Sequence, residues 1–511
     1  MKTNLEKTIA SGIEALQAEK FKEAQALFQT ALKEAESSQD RLLAAHCLDQ
    51  LGETYFQQDQ YGQAEPYYAQ AYQIRRQLLT PGHEDIVSSL NNLSAVYFFQ
   101  GKHDLSKPLC EQLMAIYQTV LGRDHPEIAT CMINLGLIAM AEGKFGQAEK
   151  YYLQAHRIRL SSFGRQHTLV GNSLSHLGSV YLEQQRFAEA SDALRKSVAI
   201  LEKNLGHEHP DLGKVLNNLI EALEAEGKGT EAEQLCPRLV SLKEISLGPA
   251  HPKVVACLEK VAAFYLRQNK PEESAKLYQR LLAMKRRTYG NDHPEVARQL
   301  TNLAFAEQSL KLPAQAEPLF LQALHIYENN SRQSSGNVAV THAQFLTALR
   351  NLATFYDTDR RFSKSEKEWR RFVQLAEASP DKYADMLITG YDRLASCLIE
   401  QNKSDEAQTI LRKALQFQNN KIKDGIKSSA AIYQQASFLT KLANILKQEH
   451  RFAEAELHYK EALDGLVKVL GATHKDLAPT MEGYADLLAL TYREAEAEHM
   501  RACTRSLIEK K

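Results

Sequence analysis

Apolar residues recur along this chain at helical spacing, and the helical segments come in pairs. Between residues 87 and 97, Leu90, Leu93 and Tyr97 fall at i, i+3 and i+7, which puts them on one face of a helix. Gly101 ends that helix. A second is predicted from about Asp104 to Leu121, with Leu109, Leu113, Ile116 and Leu121 as its apolar face. Gly122 then occupies a C-terminal cap, and Pro126 opens the next pair in a first-turn position where its missing N–H costs nothing. The unit is a helical hairpin.

The hairpin repeats with a fixed period. His83, His125, His167, His209, His251 and His293 are each 42 positions apart, with Leu-Gly before several of them and Pro after four. The leucine that precedes the small residue of each first helix stands at 51, 93, 135, 177, 219 and 303, with Val261 in the same column. The spacing then becomes 49 at Leu352, 42 at Leu394, 48 at Leu442 and 42 at Tyr484. With a first hairpin around Gly12 and Phe21, the count is about twelve hairpins. The breaks fall near Asn329–Asn337 and Asn419–Gly425, polar stretches that read as longer loops or extended helix ends. They divide the chain into a regular block, 1–331, and a less regular block, 332–511. The polar last helix, roughly Arg493 to Lys510, suits a solvating cap.

Leu-Asn-Asn-Leu (90–93 and 216–219), Gly-Lys-Phe-x-Gln-Ala-Glu-x-Tyr-Tyr (143–152) and Leu-Gly-x-x-His-Pro (121–126 and 205–210) resemble the tetratricopeptide repeat. The likeness is to its 42-residue form, found in kinesin light chains. It covers nearly the whole chain and implies an all-α, right-handed superhelical solenoid of antiparallel hairpins that binds other proteins. No heptad-patterned coiled coil precedes the first hairpin, so a motor subunit is not expected, and the repeats leave no room for an appended catalytic domain.

Composition narrows the partner. Basic and acidic residues number 62 and 63, a net charge of −1, so no overall field holds phosphate backbones or anionic lipid, and a nucleic acid or membrane partner is not expected. The start of the chain lacks a signal peptide and no long apolar run occurs, which favours a cytoplasmic protein. The seven cysteines have no Cys-x-x-Cys spacing and fall in repeat columns, Cys47, Cys131 and Cys257 in one, Cys110 and Cys236 in another; they read as small core residues. Trp369 belongs to the column of Cys110 and reads as core too.

The histidine column is a poor metal site. Adjacent packed helices lie about 8–10 Å apart, while zinc needs its nitrogens near 2.1 Å. Structural loop histidines are the better reading. Phosphate loops, His-Glu-x-x-His, nucleophile elbows and dinucleotide fingerprints are all missing, so neither enzyme activity nor a cofactor is expected.

The resemblance places the first helix of each hairpin on the concave surface, where similar domains hold extended peptides. With Leu90, Leu93 and Tyr97 turned to the core, Asn91, Phe98 and Phe99 remain for that surface, with Asn92 at its margin. Ile133, Asn134, Leu137 and Met140 follow in the next repeat, and Phe98, Phe99, Ile133, Leu137 and Met140 compose an apolar patch. An asparagine column runs through Asn92, Asn134, Asn218, Asn302 and Asn351, interrupted by His176 and Lys260, with Asn217 beside it. An amide donates and accepts, so such a row suits a peptide backbone; equally, each Asn could brace the neighbouring helix. Columns further on, including Arg298, Asp357 and Asp392, are charged and read as wet surface. The expected function is a scaffold or adaptor holding a peptide of a partner protein. A peptide-responsive regulatory receptor and a structural assembly subunit are the alternatives.

Overall fold

The computed structural model describes residues 2–333, 338–423 and 429–509. Among these the secondary structure is twenty-four α-helices and one short 3-10 turn, paired as twelve hairpins. The fold is an all-α repeat solenoid. It forms two compact units, Met1–Cys257 and Leu258–Lys511. The first helices of successive hairpins include Arg41–Phe56, Glu84–Phe99, Pro126–Ala141 and Thr168–Glu183, and later Pro294–Ser309 and Val338–Thr358. Their second helices include Tyr61–Leu78, His103–Leu121, Phe145–Phe163, Phe187–Leu205 and Pro313–Gln333. No helix among the described residues is long and apolar enough to cross a membrane.

The first register break is taken up partly as helix. Pro313–Gln333 and Val338–Thr358 each run 21 residues, against 19 for Pro271–Tyr289 and 16 for Pro294–Ser309. At the second break Ser404–Lys423 and Ser429–Gln448 have 20 residues each. The rest of the two stretches, 334–337 and 424–428, lies outside the described residues, as do Lys510 and Lys511 of the terminal helix.

Several hairpins are pulled together by a small residue beneath a large one sixteen positions later. A Cβ added at Gly136 would stand 2.3 Å from Tyr152; at Gly52, 2.8 Å from Tyr68; at Gly178, 2.4 Å from Leu194; at Gly12, 2.6 Å from Phe28. Where the first helix carries more volume the second carries less. Ser94 faces Cys110, Oγ to Sγ at 2.9 Å, and Ile220 shares that register with Cys236. Six of the seven cysteines are buried, and Trp369 is fully buried opposite the Ala353 position.

Two kinds of turn punctuate the array. Within a hairpin the chain passes through a left-handed residue such as Gly101 (φ +74°), and the next N–H closes back on the first helix, Lys102 to the Tyr97 carbonyl at 2.9 Å. Between hairpins Gly122 adopts φ +89° with ψ 163°, a region open in practice only to glycine. Gly164, Gly206, Gly248, Gly290 and Gly471 repeat it. The histidine three positions later caps the next helix. Nδ1 of His83, His125, His167, His209, His251 and His293 accepts the backbone N–H two residues on, at 3.1–3.3 Å. His474 does the same at 3.3 Å. The period is therefore set by a cap, and no group of three or more His, Cys, Asp or Glu among the described residues is placed to hold a metal.

A ladder of ion pairs joins successive second helices. The cation just before one helix reaches a glutamate of the helix before it: Lys102 to Glu65 at 2.7 Å, Arg186 to Glu149 at 2.9 Å, Arg361 to Glu317 at 2.6 Å, Lys403 to Glu366 at 2.6 Å and Arg493 to Glu456 at 2.9 Å. Where the acceptor position holds Lys107 or Ser191 the rung is missing, and Lys144 and Lys228 turn to Glu142 and Glu226 instead. Partial burial raises the Glu317 carboxyl, yet hydrogen bonds from Lys364, Arg361 and Tyr356 hold it down at about 2. Hydrogen bonds from Lys460 and Arg493 hold Glu456 at about 2 as well.

Two tests follow from the packing and the ladder. Gly136→Ala should lower unfolding free energy by about 1–3 kcal/mol through overpacking against Tyr152. Gly146→Ala, where an added Cβ meets nothing within 4 Å, should be neutral or stabilising by up to about 1 kcal/mol; urea titrations read both. A pKa depressed in the folded state contributes stability that is present above the unfolded value and lost as pH falls. An E317Q/E456Q variant should therefore melt below the parent at pH 6, and the gap should close as pH drops from the ordinary carboxylate range toward 2.

Candidate protein-binding groove

Two cavities open between neighbouring first helices, one in each unit. The smaller, roughly 240 Å³, is lined by Ala95, Phe98 and Phe99 of Glu84–Phe99 and by Asn134, Leu137 and Ile138 of Pro126–Ala141. Ser94, Ser106 and Cys110 form its floor, and their polar atoms satisfy one another: Ser94 Oγ lies 3.0 Å from Ser106 Oγ, which donates to the Ser94 carbonyl at 2.8 Å. Apart from the Asn134 amide, what remains for a ligand is apolar. Phe99 is 54% exposed and stacks on Tyr61 with centroids 5.1 Å apart. Pockets for whole small molecules start near 300 Å³, so this one suits a single large side chain.

The larger cavity, roughly 670 Å³, opens between the first helices Pro294–Ser309 and Val338–Thr358, the former 210 residues after Glu84–Phe99. Pro294–Ser309 contributes Arg298, Thr301, Asn302 and Phe305; Val338–Thr358 contributes Gln344, Thr347, Ala348 and Asn351. Tyr327 of a second helix reaches its floor, and Lys382 stands at its edge. The sequence reading named Asn302 and Asn351 but missed Phe305, Gln344, Thr347 and Lys382. Phe305 was findable, because it is the Leu137 column counted forward.

The asparagine column divides according to its neighbour. Nδ2 of Asn218 donates to Ser179 Oγ of the preceding first helix at 2.9 Å. Lys441, in the same column, donates to Ser396 Oγ at 2.8 Å, the equivalent hydroxyl. These residues brace the stack. At Asn134, Asn302 and Asn351 the equivalent neighbours are Ala95, Ala263 and Phe305, which have nothing to accept. Those three amides make no side-chain hydrogen bond to another described residue, and all three line a cavity.

Several expected groove residues face elsewhere. Asn91 lies near Tyr117 of the second helix. Ile133 is 6% exposed and belongs to the core with Ile128 and Tyr152, while Met140 packs against that same core. Asn217 donates to Asn218 at 3.4 Å, and Asn92 lines neither cavity. The structure brings together Phe98, Phe99, Asn134 and Leu137 at one cavity and Asn302 and Asn351 at the other. The reason is rotational: one residue along a helix turns the side chain by about 100°, so the Asn91, Ile133 and Asn217 column faces the crevice toward the second helix.

The charged columns are largely paired within the protein. Arg298 is held by Glu259 at 2.9 Å and Glu295 at 2.7 Å. Its hydrogen bond, joined by one from Lys285, holds the Glu295 carboxyl at about 2. Asp392 pairs with Lys441 at 2.5 Å. Asp357 turns inward, accepting the Trp369 Nε1–H at 3.0 Å and a hydrogen bond from Ser365. Lys382 is the exception at the larger cavity: it lies over the Tyr383 ring at 5.1 Å and has no carboxylate within 4.0 Å among the described residues.

Comparison with known proteins bears on this architecture. A family model described as tetratricopeptide repeat matches residues 13–77, 85–145, 134–203, 211–286 and 254–329. Two further models of that repeat match 435–476 and 388–421. Among solved structures the chain is similar to nearly identical TPR-like repeats of a kinesin light chain from Podosopora anserina, at 25% identity over 41% of this chain and 99% of that one, TM-score 0.38. It is similar also to BtubC (BKLC) from P. vanneervenii, at 21% identity over 48% and 94%, TM-score 0.37. A third is the apo form of RapI, at 12% identity over 75% and 98%, TM-score 0.47. No curated protein sequence matches the chain.

The division of the asparagines is measurable. A double-mutant cycle on Asn218 and Ser179 should return a coupling of about 0.5–1.5 kcal/mol in chemical unfolding. Asn134→Ala and Asn302→Ala should each stay within about 0.5 kcal/mol of the parent.

Proposed function

The chain belongs to the tetratricopeptide-repeat family, and from that membership we propose that it is a scaffold or adaptor that holds an extended segment of a partner protein on its first-helix face. Repeats of this family generally mediate protein–protein interaction. The observation that carries the finer reading is the set of unpaired amides at Asn134, Asn302 and Asn351, each at a cavity with an apolar wall.

The mechanism is equilibrium binding. An amide offers a donor and an acceptor to the peptide backbone whatever its sequence. Selection comes from side chains: a large apolar one enters between Phe98 and Leu137, and another group lies against Phe305 and Tyr327 in the wider cavity. Because the helices that wall these cavities are already packed through their other faces, little ordering cost is left to binding.

Affinity capture from native lysate tests this. An N134A/N302A/N351A/F305A variant, helical by circular dichroism, should lose specific partners by tenfold or more. An N217A/N218A variant should keep them. Equal retention by both would place binding on another surface.

A further inference from the structure

A cleft of roughly 570 Å³ opens away from the groove, between the second helices Pro271–Tyr289 and Pro313–Gln333. It shares no lining residue with the larger groove cavity, although Leu300 and Ile326 of the cleft each precede a residue of that cavity, Thr301 and Tyr327. Its origin lies in one register of the second helices. Eighty-four residues earlier an ion pair spans the crevice: Glu202 holds Arg238, which also donates to the His207 carbonyl at 3.0 Å. In the later crevice Arg286 stands in the Glu202 position, Gln322 in that of Arg238, Asn291 in that of His207 and Asp292 in that of Glu208. The ion pair is thereby reduced to one long contact, from Arg286 to the Gln322 side-chain oxygen at 3.5 Å.

The lining has an apolar part and a charged part. Leu300 and Ile326 are buried and Leu321 is 44% exposed, which makes the bottom and one wall apolar. Two exposed charges of opposite sign, Arg286 and Asp292, also line the cleft, and neither has an ion pair within 4.0 Å among the described residues. They do not close on each other. The loop that carries Asp292 is pinned through its backbone, because Asn330 donates to the Asp292 carbonyl at 2.9 Å, and the carboxylate is left without a partner. An apolar concavity with a few converging polar groups is the usual form of a small-molecule site, and the volume falls within the roughly 300–1,000 Å³ of such sites.

We propose that this cleft binds a small zwitterion with an apolar body, a free amino acid or dipeptide of the leucine type. The planar donors of Arg286 take the carboxylate, to which their fork is matched. Asp292 takes the ammonium. The apolar side chain lies on Leu300, Ile326 and Leu321, and removes Leu321 from water. Both charges of the ligand are required, since an anion alone would meet Asp292 and a cation alone would meet Arg286. The site is separate from the groove and does not depend on the groove reading.

Calorimetric titration of the full chain with L-leucine and with leucyl-leucine tests this. The controls are the matching amides, which lack the carboxylate, and the N-acetyl forms, which lack the ammonium. One zwitterion should bind saturably, and its two controls at least tenfold more weakly; whichever of the two binds tells amino acid from dipeptide. R286Q should no longer distinguish the zwitterion from its amide, and D292N should no longer distinguish it from its N-acetyl form. R286E/Q322R, which restores the arrangement of Glu202 and Arg238, should abolish binding with a melting point at or above the parent's. The His325 ring lines the cleft, and its NMR signal, assigned by loss in H325Q, should shift with ligand in the parent and not in R286E/Q322R. No saturable binding of either zwitterion, equal binding of the amide or N-acetyl form, or binding that survives in R286E/Q322R would overturn the assignment. The N134A/N302A/N351A/F305A variant should bind the zwitterion as the parent does, so failure of the groove reading and failure of this one are told apart.

Discussion

Close approach of the two helices of a hairpin, set by the pair of residues that face each other sixteen positions apart, is the constraint from which the rest of the structure follows. Gly136 leaves no space for a Cβ beneath Tyr152, and Gly52 none beneath Tyr68. Interiors are packed as densely as organic crystals, so such pairs fix helix separation within tenths of an ångström. The separation then sets how the next hairpin seats. Volume is exchanged across the pair rather than held constant at either position, which is why Ser94 with Cys110 serves as well as glycine with tyrosine. The cysteines are part of that exchange.

Between hairpins the chain turns by a device that only particular residues permit. Glycine takes a backbone region closed to other residues, and three positions later a histidine ring accepts the N–H that would otherwise be orphaned at the helix start. With helix ends satisfied locally and hairpins packed by their inner faces, the outward positions of the first helices carry little structural duty. Function has room there. Whether such a position braces the stack or is left open can turn on one atom of the preceding repeat: Ser179 offers Asn218 an acceptor, whereas Ala95 offers Asn134 none.

Much of the fold was legible because periodicity reports packing directly. Hairpins, caps, the core cysteines and Trp369 all follow from columns 42 residues apart. The groove was legible only in part. The asparagines read as one column, yet the hydroxyl that commits Asn218 lies 39 residues upstream, outside any local pattern. Ile133 read as groove and is core, since a rotation of one residue separates the two faces. The ion-pair ladder joins residues 37 apart, or 44 across the first register break, a spacing that mean composition and charge conceal.

The central claim is that the first-helix face, not the second-helix face, meets the partner. Site-specific photo-crosslinking tests it most directly, with benzoylphenylalanine at Phe99 or Phe305 on the first helices and at Leu321 or Leu457 on the second, all exposed at 38–64%. The account predicts adducts to partner polypeptide from Phe99 and Phe305, competed away by the unlabelled chain, and none from Leu321 or Leu457. Adducts confined to Leu321 and Leu457 would contradict it.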